Sequence, residues 1–218
     1  MSETEPVTVT IPLHDIRLPG DLGVPAGARG LVIFAHGSGS SRRSPRHVAV
    51  ARALRAGGMA TLLFDLLTPD EGRVYARRFD IALLTERLIA VTRWALADPR
   101  AARLAIGFFG ASTGAAAALR AAAELGHLVR AVVSRGGRPD LALSALARVA
   151  APTLLIVGGE DDIVIDLNRR ALAALTAEKA LAIIPGATHL FEEPGALDDV
   201  ARLALDWFQR HLADRRPD

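Results

Sequence analysis

A segment in the middle of the chain has the composition of a nucleophile carried on a tight turn. The apolar residues 104–109 run into Gly110-Ala111-Ser112-Thr113-Gly114, and an alanine-rich, helix-compatible stretch follows. In a G-x-S-x-G pattern between a strand and a helix, the glycines omit Cβ atoms that would clash as the chain reverses. The turn lifts the Ser112 hydroxyl above the strand end and leaves the Thr113 N–H unsatisfied at a helix N-terminus. We therefore predict Ser112 as a nucleophile and the Thr113 N–H as one donor to an oxyanion.

A serine nucleophile needs a general base, and one histidine stands where that base is required. His189 follows the last apolar, strand-like run of the chain, on a loop that continues to Pro194. We predict it as the base. The other histidines are expected on the surface, in packing positions or bracing loops: His14, His36, His47, His127 and His211.

The acid that orients the base is expected in the segment Gly159-Glu160-Asp161-Asp162, which also follows a strand-like run. The spacing Gly158-x-x-Asp161-x-x-Val164 places Asp161 at the turn, so we favour Asp161 as the acid. Asp162 is then expected to cap the next helix, and Glu160 is a third alternative. Thus Ser112, Asp161 and His189 form a predicted triad in that chain order.

A second oxyanion donor is expected in the glycine-rich loop His36-Gly37-Ser38-Gly39. The glycines would let a backbone N–H point inward, and we favour that of Ser38, with Gly39 as the alternative. A phosphate cradle is the competing interpretation, but the loop lacks the lysine of a P-loop and the third glycine of a dinucleotide motif.

These residues follow the ends of apolar runs that alternate with helical patterns, which predicts a mostly parallel sheet covered on both faces. In such sheets ligands bind at the carboxyl ends of the strands. Pro19-Gly20 is predicted to turn the chain, and residues 68–78 to form a loop. The predicted strands are residues 7–13, 16–18, 31–35, 60–64, 104–109, 129–134, 153–157 and 180–184. The predicted helices are residues 45–56, 79–97, 139–149, 164–175 and 194–212, with a further helix after Gly114.

The chain of 218 residues predicts a single domain, with N-terminal strands in residues 1–30, a core in 31–212 and a tail in 213–218. About 18 residues separate the sixth and seventh strands, which leaves no room for a large cap domain. Cysteine is absent, which excludes disulfides and thiolate chemistry. We expect no metal, no cofactor and no membrane span, and a cytoplasmic protein because no secretion signal is evident.

The charge pattern argues against nucleic-acid binding. The net charge is only +2, acidic residues are interspersed among the arginines, and aromatic residues make up 5% of the chain. A nucleic-acid interface is more often a concentrated basic stripe with stacking aromatics. We expect a small-molecule partner, and the sequence leaves open whether the chain forms a homodimer.

Several segments resemble the α/β-hydrolases of the dienelactone-hydrolase-like group, and more narrowly small bacterial hydrolases whose homologues can be fused to phosphoribosyltransferase domains. These segments are HGSGSSRRSPR (36–46), GASTGAAAAL (110–119), SRGGRPDL (134–141), APTLLIVGGEDDIV (151–164), LNRRA (167–171) and PGATHLFEEPGAL (185–197). The resemblance covers residues 31–212 and implies the α/β-hydrolase fold, with about seven to eight strands. It implies the same triad. Dienelactone hydrolases use a cysteine nucleophile, which this chain lacks, so the resemblance implies serine esterase chemistry rather than dienelactone as substrate.

The expected reaction is hydrolysis of small or extended carboxylic esters through an acyl-enzyme. Thioesterase, acyltransferase or peptidase action from the same triad is left open, as is a non-catalytic binding module. Arg42 and Arg135 are candidates for contact with an acidic group of the substrate. Ordinary surface ion pairing is the alternative for both.

Overall fold

Residues 5–212 are described by a computed structural model, and eight strands within them form one sheet. The predicted tail lies outside the described residues. The strands are β1 (Val7–Leu13), β2 (Ile16–Gly23), β3 (Gly30–Ala35), β4 (Ala60–Phe64), β5 (Ala105–Ala111), β6 (Val129–Arg135), β7 (Thr153–Gly158) and β8 (Lys179–Ile184). Their order across the sheet is β1-β2-β4-β3-β5-β6-β7-β8. β1 and β2 pair antiparallel with their neighbours, whereas β4, β3 and β5 to β8 run parallel.

Helices cover both faces of this sheet, as the alternating pattern predicted. On one face α3 and α4 pack on a large apolar core with part of α6, and on the other face α1 contacts α7 over a second core. The α-helices are α1 (Pro45–Ala56), α2 (Pro69–Arg73), α3 (Ile81–Ala97), α4 (Thr113–Leu125), α5 (Leu143–Leu146), α6 (Asp162–Ala174) and α7 (Ala196–His211). Short 3₁₀ turns span Tyr75–Phe79, Gly126–Leu128 and Pro139–Ala142.

Burial of the strands follows their place in the sheet. Every residue of β3 and β5 is buried, because helices cover both faces of the central strands. β1 lies at an edge and alternates exposed and buried residues over most of its length. The predicted mostly parallel sheet is therefore confirmed.

The predicted turn at Pro19-Gly20 is wrong, because both residues lie inside β2. Pro19 is opposite Thr10 in the register of β1, and Gly20 is opposite Phe64 in the register of β4. A Cβ at Gly20 would lie 3.2 Å from side-chain atoms of Val9 and Ile11. Pairing on both sides thus outweighs the turn preference of the Pro-Gly pair.

The predicted loop over residues 68–78 is also wrong, since it contains α2 and a 3₁₀ turn. A capping box starts α2. The Glu71 N–H donates to the Thr68 hydroxyl at 3.2 Å, and the Thr68 N–H donates to the Glu71 carboxylate at 2.8 Å. Arg87 of α3 donates to the same carboxylate at 2.8 Å. This single helical turn is stabilised by its cap and by α3 rather than by an apolar face.

The connection between β6 and β7 holds only the 3₁₀ turn Pro139–Ala142 and α5, which is four residues long. The helix predicted over 139–149 is therefore shorter than expected. The expectation of no large cap domain is confirmed, because no other element stands between these strands. Within residues 5–212, no helix has both the length and the apolar character needed to cross a membrane.

His47 lies in α1 and is buried, so of the two positions expected for it, surface or packing, it occupies a packing position. Its ring lies edge-on to Phe34 and Phe109, with centroids 6.1 and 6.3 Å away. Burial and, to a smaller extent, the positive charge of Arg135 lower its pKa to about 3. The folded protein therefore holds this imidazole neutral.

This burial predicts an acid-sensitive fold. Below pH 6.5 the unfolded chain protonates His47 and the folded chain does not until pH approaches about 3, so stability falls as pH falls through this window. We expect His47→Leu to reduce the pH slope of the free energy of unfolding by about 1.4 kcal/mol per pH unit. Urea unfolding at several pH values measures this slope. The control is the pH range above 7, where both states hold the His47 imidazole neutral and the two proteins should have the same slope. An unchanged slope in His47→Leu contradicts the prediction.

Candidate active site

Ser112 stands on a strained turn between β5 and α4. Its backbone has φ 49° and ψ −121°, a conformation with positive φ that is rare for residues other than glycine. The Ser112 N–H donates to the Arg135 carbonyl at 3.3 Å. The Ser112 carbonyl accepts from the N–H groups of Ala115 and Arg138, both at 3.1 Å. Hydrogen bonds on both sides of the serine therefore hold the turn predicted from the G-x-S-x-G pattern.

The two glycines of this turn are required by close packing. A Cβ on Gly110 would lie 2.5 Å from the Ala115 Cα atom, and one on Gly114 would overlap the carbonyl oxygens of Ala35 and His36. These obstacles are backbone atoms, which cannot rotate away. The turn is thus pressed against the end of β3.

Asp161 and His189 are brought together at the ends of β7 and β8. The His189 Nδ1 atom lies 2.6 Å from the Asp161 Oδ2 atom. Because a carboxylate oxygen accepts, Nδ1 carries the hydrogen and Nε2 is left able to take a proton. The side chain of Asp161 is 17% exposed and that of His189 is 40% exposed, so the base faces solvent and the acid lies behind it.

The adjacent carboxylates do not make this contact. Asp162 and Glu160 are exposed, and no hydrogen bond joins either to His189 within residues 5–212. The expectation that Asp162 caps α6 is wrong. The helix begins at Asp162 itself and Asp161 occupies the N-cap position, but without a capping hydrogen bond from its side chain. The carboxylate of Asp161 points to the histidine instead.

The loop after β6 joins the serine turn to the histidine. Gly136 follows Arg135, whose carbonyl accepts from Ser112, and a Cβ at Gly136 would lie 3.4 Å from the His189 Cε1 atom. No hydrogen bond between the Ser112 hydroxyl and His189 is present in the described part of the chain. In unliganded sites such bonds are often long and tighten when substrate binds.

The two predicted oxyanion donors are neighbours, and one of them is engaged. The Ser38 N–H donates to the Thr113 hydroxyl at 2.9 Å. The Thr113 N–H is at the first position of α4, ahead of the intrahelical hydrogen bonds. Gly39, the alternative donor, is exposed and has φ 72°. An oxyanion at Ser38 therefore has to share this N–H with the Thr113 hydroxyl or displace it.

His36 braces the loop that carries Ser38, as its sequence position suggested. Its Nδ1 atom is 3.0 Å from the Gly37 carbonyl, and its Nε2 atom accepts from the Leu66 N–H at 3.0 Å. These partners place the hydrogen on Nδ1. Burial lowers the pKa of His36, which keeps the ring neutral and able to accept. The ring thus ties the loop after β3 to the loop after β4.

Asn168 contributes to the site region and was not identified from the sequence. It is fully buried in α6, and its amide donates to the Gly137 carbonyl at 3.1 Å and to the Val164 carbonyl at 2.8 Å. It links the helix that follows Asp161 to the loop after β6, in which the Arg138 N–H donates to the Ser112 carbonyl. An amide on the apolar face of a predicted helix, four residues after Val164, is the signal that could have found it.

The two candidate arginines have different surroundings. Arg42 donates to both carboxylate oxygens of Asp65: its backbone N–H donates to Oδ1 at 2.8 Å and its guanidinium donates to Oδ2 at 2.7 Å. The guanidinium also pairs with Asp21 at 3.0 Å. Arg135 is buried, and its Nη1 atom donates to the Leu190 carbonyl at 3.3 Å. Both guanidinium groups thus contact atoms of this chain. Binding of substrate by either one stays a prediction.

A cavity of about 330 Å³ opens beside the Ser38 loop. Much of its wall is apolar and comes from the loops after β3 and β4, with Leu66, Leu67 and Pro69 among its lining residues. Arg78 also lines it and donates from Nε to the Gly72 carbonyl at 2.7 Å. Ser112 and His189 do not line this cavity, so the Ser38 loop is what connects it to the serine turn. Within residues 5–212, no group of three or more His, Asp or Glu side chains could hold a metal ion.

Comparison with known proteins places the chain among hydrolases. The model of the dienelactone hydrolase family matches residues 55–212. A crystal structure of a dienelactone hydrolase from Anabaena variabilis is 54% identical, with a TM-score of 0.94 over 96% of this chain and 99% of that one. Est1E from Butyrivibrio proteoclasticus is 18% identical with a TM-score of 0.82 over 95% and 99%, which shows the fold alone. The fold is that of the α/β-hydrolases.

A relative in Mycobacterium tuberculosis carries the provisional name phosphoribosyl transferase Rv0571c. It is 58% identical over 202 residues, which are 93% of this chain and 46% of that protein. The chain therefore spans about half the length of this relative.

The packing of the turn predicts a large effect of one methyl group. We expect Gly114→Ala to lower the free energy of unfolding by about 1–3 kcal/mol, because its Cβ overlaps two carbonyl oxygens at the end of β3. Chemical denaturation measures the loss. The control is Gly72→Ala in α2, where a Cβ meets no atom within 4 Å. Equal stability of Gly114→Ala and the wild type would contradict the packing argument.

Proposed function

The chain belongs to the dienelactone hydrolase family, and we propose that it is a serine esterase that cleaves carboxylic esters through a Ser112-His189-Asp161 triad. The observation that carries the proposal is the 2.6 Å contact between His189 and Asp161 at strand ends beside the strained Ser112 turn. A nucleophile, an oriented base and an acid, here after β5, β8 and β7 at the same edge of the sheet, are the parts that acyl transfer requires.

In the proposed reaction, the Ser112 oxygen attacks the ester carbonyl while His189 Nε2 takes the hydroxyl proton. Asp161 holds the imidazole in the required tautomer and stabilises its charged form. The carbonyl oxygen becomes an oxyanion, which accepts hydrogen bonds from the N–H groups of Ser38 and Thr113. His189 then protonates the leaving alcohol. Water repeats the sequence on the acyl-enzyme and releases the carboxylic acid.

The proposed substrates are small or extended esters. The cavity beside Ser38, about 330 Å³, lies at the low end of the roughly 300–1,000 Å³ typical of ligand pockets. Its leucine and proline walls suit an apolar acyl or alcohol group. Since no large cap stands between β6 and β7, an extended ester could project beyond it.

The proposal concerns hydrolase chemistry only. The phosphoribosyl transferase name belongs to a relative of which this chain covers 46%. The part of this chain that matches the dienelactone hydrolase model includes all three proposed triad residues. We therefore do not extend the transferase name to this chain.

Replacement of the nucleophile is the first test. We expect Ser112→Ala to lower kcat on p-nitrophenyl acetate by on the order of a million-fold, because no other group can form the acyl-enzyme. A fluorophosphonate probe should label the wild type and not Ser112→Ala. Equal hydrolysis by the variant and the wild type would sink the proposal.

The two neighbouring aspartates provide a matched test of the acid. We expect Asp161→Asn to lower kcat by roughly 10⁴-fold, since an amide no longer holds His189 in the correct tautomer. Asp162→Asn changes the same functional group one residue away, where it is exposed, and should keep the wild-type kcat. Steady-state kinetics on the same ester measures both. A larger loss in Asp162→Asn would reassign the acid.

A further inference from the structure

Arg135 is a buried cation without a carboxylate partner in the described part of the chain. It is 6% exposed, and its Nε atom has no hydrogen-bond partner. Burial and, to a smaller extent, the nearby charge of Arg46 lower its pKa to about 10. A buried charge is costly unless it is paired or well hydrogen-bonded, so its retention here calls for a role.

The contacts of the Arg135 side chain converge on the two residues that follow the proposed base. Nη1 donates to the Leu190 carbonyl at 3.3 Å, and the guanidinium carbon lies 5.3 Å from the centre of the Phe191 ring. The distance to the ring is within the range of a cation–π interaction. Phe191 is 1% exposed and has φ 57°, so its backbone holds a conformation that few bulky residues adopt. The arginine thus contacts the strained, buried point of this loop.

The outer side of the loop is held by separate contacts, among them a hydrogen bond from the Thr188 hydroxyl to the Glu193 carboxylate at 2.6 Å. Leu190 and Glu192 are exposed, and Glu192 is held from outside by an ion pair with Arg46 of α1 at 2.7 Å. The Phe191 N–H donates to the Thr188 carbonyl at 3.2 Å, which closes the loop on itself. Phe191 and the Leu190 carbonyl are therefore the inner attachment of the histidine loop.

The backbone of the same arginine supports the nucleophile. The Arg135 carbonyl accepts from the Ser112 N–H at 3.3 Å, and the next residue, Gly136, lies against the His189 ring. One residue at the end of β6 is thus joined to the serine turn through its carbonyl and to the histidine loop through its side chain. Arg135 does not line the cavity beside Ser38.

We propose that Arg135 is a positioning residue that fixes His189 relative to Ser112 by holding the Leu190 carbonyl and the Phe191 ring, and that it does not bind substrate. This inference rests on the proposed esterase function. Displacement of a catalytic group by about 1 Å costs on the order of 100-fold in rate. A loop that loses its inner attachment would place the imidazole less accurately for proton transfer from the serine.

The test compares Arg135→Met with Arg148→Met. Arg148 also donates Nη1 to a backbone carbonyl, that of Ser144 at 3.0 Å, but it is exposed and away from the site. We expect Arg135→Met to lower kcat on p-nitrophenyl acetate by on the order of 100-fold with KM unchanged, and Arg148→Met to keep both. The ratio of rates on anionic and neutral esters should stay at the wild-type value.

A further readout separates positioning from a general structural role. Arg135→Lys should recover part of the lost kcat, since lysine keeps the charge for the carbonyl and the ring. An unchanged kcat in Arg135→Met, or a loss confined to anionic esters, would overturn the proposal.

An assay without turnover keeps this test independent of the esterase proposal. In Ser112→Ala protein, the imidazole ¹⁵N resonances of His189 should be single, and adding Arg135→Met should broaden or split them. Unchanged resonances would overturn the positioning role even if the wild type hydrolyses no ester. If Arg135→Met does not fold, Phe191→Leu removes the ring and keeps the arginine. It should lower kcat in the same way, and an unchanged kcat and spectrum would overturn the proposal.

Discussion

The close approach of the Ser112 turn to the end of β3 is the constraint on which the rest of the site depends. A side chain at Gly114 would overlap the carbonyls of Ala35 and His36, so the first turn of α4 can lie against the end of β3 only with glycine at this position. The same approach brings Thr113 to the Ser38 loop, where its hydroxyl accepts the Ser38 N–H. Strain at a buried turn persists only if its surroundings hold it. Here β5 lies between β3 and β6 and pairs with both.

Loops at successive strand ends are tied to one another rather than left to solvent. His36 joins the loop after β3 to that after β4, and Arg42 joins the same two regions through Asp65. On the other side of the serine, Asn168 fastens α6 to the loop after β6. These links are hydrogen bonds of buried or half-buried groups, which tolerate little displacement. They make a set of separate loops into a single rigid edge of the sheet.

Burial also decides which groups are charged near this edge. His36 and His47 are held neutral by their surroundings, whereas Arg135 is buried close to them as a cation. His189 alone of these four has an exposed face and a carboxylate partner, which suits a group that must gain and lose a proton. Environment rather than residue type thus separates the proposed base from the other imidazoles.

Much of the architecture could be predicted from local pattern. The buried runs of β3 and β5, the glycines around Ser112 and the apolar stripes of the long helices each depend on neighbours within a few residues, so periodicity and spacing specify them. The short elements could not be predicted in this way. The Pro19-Gly20 pair has the composition of a turn, yet it lies in β2 because β1 and β4 pair with it from both sides.

The sequence by itself determined the fold class, the strained serine turn and the order in which Ser112, Asp161 and His189 follow their strands. Only the tertiary structure decided which carboxylate faces His189, where Ser38 places its N–H, and that Arg135 turns inward to the histidine loop. Local sequence limits backbone conformation, whereas these contacts join residues 28, 75 and 55 positions apart. Residues so far apart in the chain come into contact only when the sheet has set the register of its strands.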